Sequence, residues 1–131
     1  MAIIDKGSAT ENVESKGFVG SYSDAEGWTV GFETYTEHAD LSSLFVGLPD
    51  DRCQAVHLGY VVKGKLAFHY SDGQSDVIEA GQAYVTQPGH TPELFPDTEV
   101  VEFTRADELA KTMAVVEKNM DLAVAEEMEA L

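Results

Sequence analysis

The chain is 131 residues long, enough to close a single core without disulfides and too short to argue for more than one domain. Its 24 acidic residues stand against 8 basic ones, a formal net charge of -16, and no run of Lys or Arg is dense enough to track phosphates. Nucleic acid and anionic membrane surfaces are excluded as partners, because affinity there comes from cations displacing counterions, while the 44% hydrophobic composition is that of a chain that folds.

Met1 to Lys6 offers three consecutive apolar residues, Ala2, Ile3 and Ile4, before Asp5. A secretory signal needs about 7 to 15 and a membrane span about 20. Cys53 is the sole cysteine, so no intrachain disulfide can form, and a reducing, cytoplasmic setting is expected. Residues 1 to 17 read as an N-terminal arm. From residue 18 to about 103 the chain is a series of short β-rich runs cut by turn residues. Trp28 to Thr36 alternates, with Val30, Phe32, Thr34 and Thr36 on one side and Thr29, Gly31, Glu33 and Tyr35 on the other. Ala55 to Val62, Leu66 to Tyr70, Asp76 to Glu79, Ala83 to Gln87 and Glu99 to Thr104 are further predicted strands. Between them lie the turn signals Asp24 to Gly27, Pro49 to Asp51, Lys63-Gly64, Ser71 to Gly73, Ala80-Gly81, Pro88-Gly89 and Pro96-Asp97. Short strands at this spacing, without helices between them, predict an all-β sandwich or barrel over residues 18 to 104.

From residue 105 to the end the pattern changes to a helical period. Leu109, Met113, Val116, Met120, Val124, Met128 and Leu131 form one apolar stripe. Thr104, followed three residues later by Asp107, has the form of a capping box. At 1.5 Å per residue a 25-residue helix is about 38 Å long, more than a small barrel covers, so part of the stripe is expected to meet a second subunit in a homodimer. The competing arrangement docks the helix on its own barrel. Glu126, Glu127 and Glu129 lie where the helix dipole is negative and disfavour the last turn, which would shorten the overhang.

The stretch most informative about chemistry runs from Cys53-Gln-Ala-Val-His57-Leu-Gly-Tyr60-Val-Val-Lys-Gly64 to Gly81-Gln-Ala-Tyr-Val-Thr-Gln-Pro-Gly-His90. Cys53 and His57 differ by four, so in a strand they face the same side, and Ala55 and Val61 share that parity, which points inward. Three plain structural readings stand beside a functional one: Cys53 as a small buried hydrophobe, His57 as a core histidine on a backbone carbonyl, His90 as a turn residue. His38 and His69 read as solvated, and the Glu-rich tail as a solvated face. No phosphate loop, dinucleotide fingerprint, serine elbow or helical His-Glu pair is present.

These residues resemble the cupin superfamily over about residues 28 to 104, whose motifs have the forms G-x5-H-x-H-x3,4-E-x6-G and G-x5-P-x-G-x2-H. With Gly64 as the last glycine of the first motif, His57 takes the glutamate position, and the paired histidines fall on Asp51 and Cys53, or on Asp50 and Arg52. In the second motif Gly81 and Gly89 match, Gln87 replaces the proline, and Pro92 takes the histidine position, with His90 two places earlier. The chain is closer to a subgroup of small cupins carrying Cys-x3-His-x-Gly-Tyr-Val-x2-Gly and Pro-Gly-His. The resemblance implies a cupin-type double-stranded β-helix, a jelly-roll barrel, followed by a long C-terminal α-helix. It also implies a rearranged ligand set, Cys53, His57 and His90, for a divalent metal ion. Thiolate and imidazole suit Zn or Fe, with a carboxylate from Asp51 or Glu93 as a possible addition. Tyr60 and Glu93 are candidates for supporting the ligands or for acid/base work, with a small organic molecule as ligand or substrate. The alternatives are a metal-free barrel that holds a small ligand without chemistry and a purely structural dimer.

Overall fold

In a computed structural model, which describes residues 1 to 129 and side chains through residue 123, the first hairpin shows how local sequence sets the architecture. β2 (Phe18–Ala25) and β3 (Trp28–Tyr35) are joined by Glu26 and Gly27, both at positive φ (55° and 82°). That backbone matches the twist of the strands it joins, and glycine adopts it without strain. β2 also pairs with β1 (Glu11–Ser15), so the N-terminal arm carries an edge strand. Alternation there is of Glu, Asn and Ser about a single Val13, too polar to register as a strand from sequence.

The remaining strands are β4 (Ala39–Asp40), β5 (His57–Lys63), β6 (Lys65–Tyr70), β7 (Ser75–Glu79), β8 (Ala83–Val85), β9 (His90–Leu94) and β10 (Thr98–Arg105). They form two antiparallel sheets, one of order β1-β2-β3-β10-β5-β8 and one of order β4-β9-β6-β7. The predicted strands fall within a few residues of those observed. β2 and β9 carry no clear strand signal in the sequence, because Gly20, Ser21 and Ser23 interrupt one and Pro92 the other. Between the sheets lies an apolar core of Tyr35, Val61, Leu66, Phe68, Ile78, Leu94 and Val100.

The helix α1 (Ala106–Glu129) leaves β10 directly and packs on its own barrel. Met113 and Val116 meet Phe45, Cys53 and Ala55 in a second apolar cluster. Asn119 donates its side-chain amide to the carbonyls of Leu44 (2.7 Å) and Val46 (2.8 Å). The helix is thus held in cis through residue 119, while Met120, next on the stripe, is exposed. The side chains of Val124, Glu126, Glu127, Met128 and Glu129, and Leu131 as a whole, lie outside the described residues. The expected capping box does not form. Thr104 is still in β10 with its hydroxyl on His57, and Asp107 accepts the amide of Glu108 (2.9 Å). No described helix is long and apolar enough to cross a membrane.

Candidate metal centre and cavity

A cavity of about 710 Å³ opens between the sheets and is closed in part by Leu109, Thr112, Met113 and Val116 of α1. The inward positions of the central strands line it: Thr29, Gly31, Glu33 and Tyr35 from β3, and Val100, Glu102 and Thr104 from β10. The face of β3 that the sequence marks as polar is therefore the one turned inward.

Cys53, His57 and His90 meet at one wall of this cavity. Each is buried, at 2%, 7% and 1% exposure, and their donor atoms all lie within 4.8 Å of one another. Local pairing brings them together. Cys53 forms a bridge with His90, its amide donating to the His90 carbonyl (2.9 Å), and β5 starts at His57 with its amide on the Thr86 hydroxyl (2.8 Å). The Cys53 sulfur stands 3.5 Å from His57 Nε2 and 3.9 Å from the Thr112 hydroxyl.

The hydrogen bonds of the two rings fix what each can offer. His90 Nδ1 lies 2.7 Å from the Gln87 carbonyl, which can only accept, so the proton sits on Nδ1 and Nε2 carries the free lone pair. His57 Nδ1 lies 2.7 Å from the Thr104 hydroxyl and 3.2 Å from Glu102 Oε1; a proton there serves both oxygens and frees Nε2 on the Cys53 side. Burial pushes both imidazoles down to about 4, so they are neutral at neutral pH, and burial pushes the Cys53 thiol up. Two neutral imidazoles with directed lone pairs and one thiol, each outer nitrogen held by an oxygen, fit a zinc-type or iron-type ion, whose charge would hold the sulfur as thiolate. Asp51 is exposed, in the turn Pro49–Asp51, with its carboxylate accepting the Gly47 amide (2.9 Å).

Two further carboxylates, which the sequence reading missed, line the same cavity. Glu33 accepts from the Tyr22 hydroxyl (2.6 Å), and Glu102 accepts from the Tyr84 hydroxyl (2.5 Å). Removal from water pushes both acids upward, and for Glu33 the nearby Glu102 adds to the effect. Glycines make the arrangement possible. Glu102, Gly59 and Tyr84 lie in one cross-strand row, and a Cβ at Gly59 would collide with the Tyr84 ring; Tyr22 lies over Gly31 in the same way. A glycine inside a strand, opposite a tyrosine, is the signal that could have marked these positions.

Tyr60 and Glu93 are placed elsewhere. Tyr60 has the opposite parity to His57 on β5 and is 47% exposed on the outer face. Glu93 faces out of β9, where its carboxylate meets His38 Nε2 (2.7 Å) and His69 Nε2 (2.8 Å). Neither lines the cavity, so neither reaches Cys53, His57 or His90 as a supporting or acid/base group. Strand parity is the reason in both cases.

No protein-family model matches the chain, and no curated protein matches its sequence. Solved structures are similar in fold. A Rhizobium leguminosarum protein of unknown function is 14% identical, with a TM-score of 0.57 over 79% of this chain and 94% of that one. Ectoine synthase from P. lautus is 10% identical, with a TM-score of 0.56 over 80% and 78%. An oxalate decarboxylase variant from B. subtilis is 12% identical, with a TM-score of 0.53 over 78% of this chain and 28% of that one. Two facing antiparallel sheets and this likeness to cupin-fold proteins make the chain a protein of the cupin jelly-roll fold.

Proposed function

We propose that the protein is a metal-binding cupin that holds one divalent transition-metal ion through Cys53, His57 and His90, with a small organic molecule beside it in the cavity. The convergence of those three donor atoms on a cavity wall carries the reading. Similar structures include enzymes, and a metal-dependent reaction is the activity proposed here. When bound, the ion would act as a Lewis acid toward an oxygen or nitrogen of the ligand. The chain's own groups would do the rest. Thr104 and Glu102 orient His57, the Gln87 carbonyl orients His90, and Glu33 and Glu102 are placed to hold or pass a proton. Zn and Fe are the proposed ions.

Cobalt substitution tests this reading. Co(II)-loaded wild type is expected to show a thiolate-to-metal charge-transfer band that is lost in Cys53→Ser. A cobalt spectrum with no sulfur band in the wild type would contradict it. A metal-free binding barrel is the second reading, favoured by one observation: among the described residues no side-chain nitrogen or oxygen wholly cut off from solvent is left without a partner in the absence of an ion.

The homodimer is proposed on a different surface from the helix. On the outer face of the larger sheet, the exposed Phe103, Leu58 and Val85 continue a cross-strand row from the buried Val30, and Phe32, Val101, Tyr60 and Ala83 form the next. Neither row carries a charge, in a chain of net charge -16 whose copies repel elsewhere. A second copy is the partner this face suits. Sedimentation is expected to show a dimer that Leu58→Asp converts to monomer; a monomeric wild type would refute the proposal.

A further inference from the structure

The cavity is lopsided in charge. Glu33 and Glu102 enter it from adjacent strands, and the one Lys or Arg among the described lining residues is Lys16, exposed at the rim. The hydroxyls of Tyr22 and Tyr84 are already donated to the two carboxylates. An organic acid entering here would meet acceptors and like charge, with no guanidinium or ammonium to receive it. Burying an unpaired carboxylate costs several kcal/mol, and a cation beside it is what offsets that cost.

The walls suit an organic cation as well. Phe18 stacks on Tyr35 at 5.0 Å between ring centroids, and Phe68 lies 5.1 Å from Tyr84, and all four rings line the cavity that the two carboxylates enter. Ring faces attract cations. The volume of about 710 Å³ is within the range of small-molecule sites, about 300 to 1,000 Å³.

We infer that the ligand of this cavity is a small organic amine, bound as its ammonium at Glu33 and Glu102 with its carbon skeleton against Phe18, Leu66, Phe68 and Leu94. This rests on reading the cavity as the ligand site and specifies the class of compound it takes. Carboxylic acids without an amine are expected to bind more weakly, repelled by the same charges.

The test is isothermal titration calorimetry of the protein as purified, with its metal content measured in the same samples. The probes are n-butylammonium, butyrate and 1-butanol, alike in size and different in charge. Butylammonium is expected to bind at least tenfold more tightly than butyrate. Glu33→Gln and, as an independent second variant, Glu102→Gln are each expected to weaken it about tenfold, with an intact melting transition showing that the variant is folded. Butyrate binding as tightly as butylammonium, no binding of butylammonium, or two folded variants that bind it as the wild type does would each overturn the inference. Amine preference in protein without metal would sink the metal reading alone; stoichiometric metal without amine preference would sink this inference alone.

Discussion

Two clusters of histidines are built on the strand β9, one on each side of it. His90 starts that strand and points inward to His57 and Cys53, while three residues on Glu93 points outward to His38 and His69. Residue types are nearly the same in the two clusters, and the chemistry is not. Inside, burial strips water from the imidazoles, keeps them neutral and leaves a lone pair free at each Nε2, the state a metal ion takes. Outside, the same rings are half exposed, and their Nε2 atoms are spent on the Glu93 carboxylate, which they hold below its ordinary range. One strand thus presents a metal-type cluster and a surface ion-pair cluster, and the side of the sheet decides between them.

Mutation should separate the two sides most strongly in metal content. His57→Ala or His90→Ala is expected to drop bound metal to background, whereas His38→Ala and His69→Ala leave it unchanged, as read by plasma emission analysis. If the outer pair proved to be the one whose loss removed metal, the comparison would be inverted. Next in size is Gly59→Ala, which pushes the Tyr84 ring off Glu102 from inside a packed wall. A loss of about 1 to 3 kcal/mol in urea unfolding is expected, the usual cost of overpacking. Thr104→Val removes the oxygen on His57 Nδ1 and should weaken metal binding about 10- to 100-fold in a chelator competition, with little change in melting temperature.

The smallest effect belongs to the outer cluster. Glu93 has a depressed folded pKa, so its contribution is present above the unfolded value of about 4.3 and is lost as pH falls through the folded one. In Glu93→Gln, stability at pH 7 should fall by less than about 1 kcal/mol, as for other partly exposed pairs, and the difference from wild type should vanish at low pH. Thermal melts from pH 3 to pH 7 measure this directly, and a difference that grew toward acid would have the wrong sign.

Much of the barrel could be read from the sequence because alternation and turn residues are local signals. Asp72-Gly73 sits at the β6–β7 hairpin and Lys63-Gly64 at the crossing from one sheet to the other, and Cys53, Ala55, His57 and Val61 share one buried side. Glu33 and Glu102 are not legible as cavity residues because a polar residue on an alternating strand reads as solvent-facing, and a barrel with a cavity inverts that rule for its central strands. Tyr60 drew attention by its place beside His57 in the motif, yet an odd number of residues separates inside from outside. Thr104 resembled a helix cap because its hydroxyl has the right spacing to Asp107; the imidazole across the sheet, invisible along the chain, holds it instead.

The most direct test is metal analysis of untagged wild type and Cys53→Ser, expressed with Fe, Zn, Mn and Ni available and purified without chelator. Near one equivalent per chain in the wild type, lost in a folded Cys53→Ser protein, is the result this account predicts. Background metal in both would contradict it and leave the cavity as a metal-free binding site.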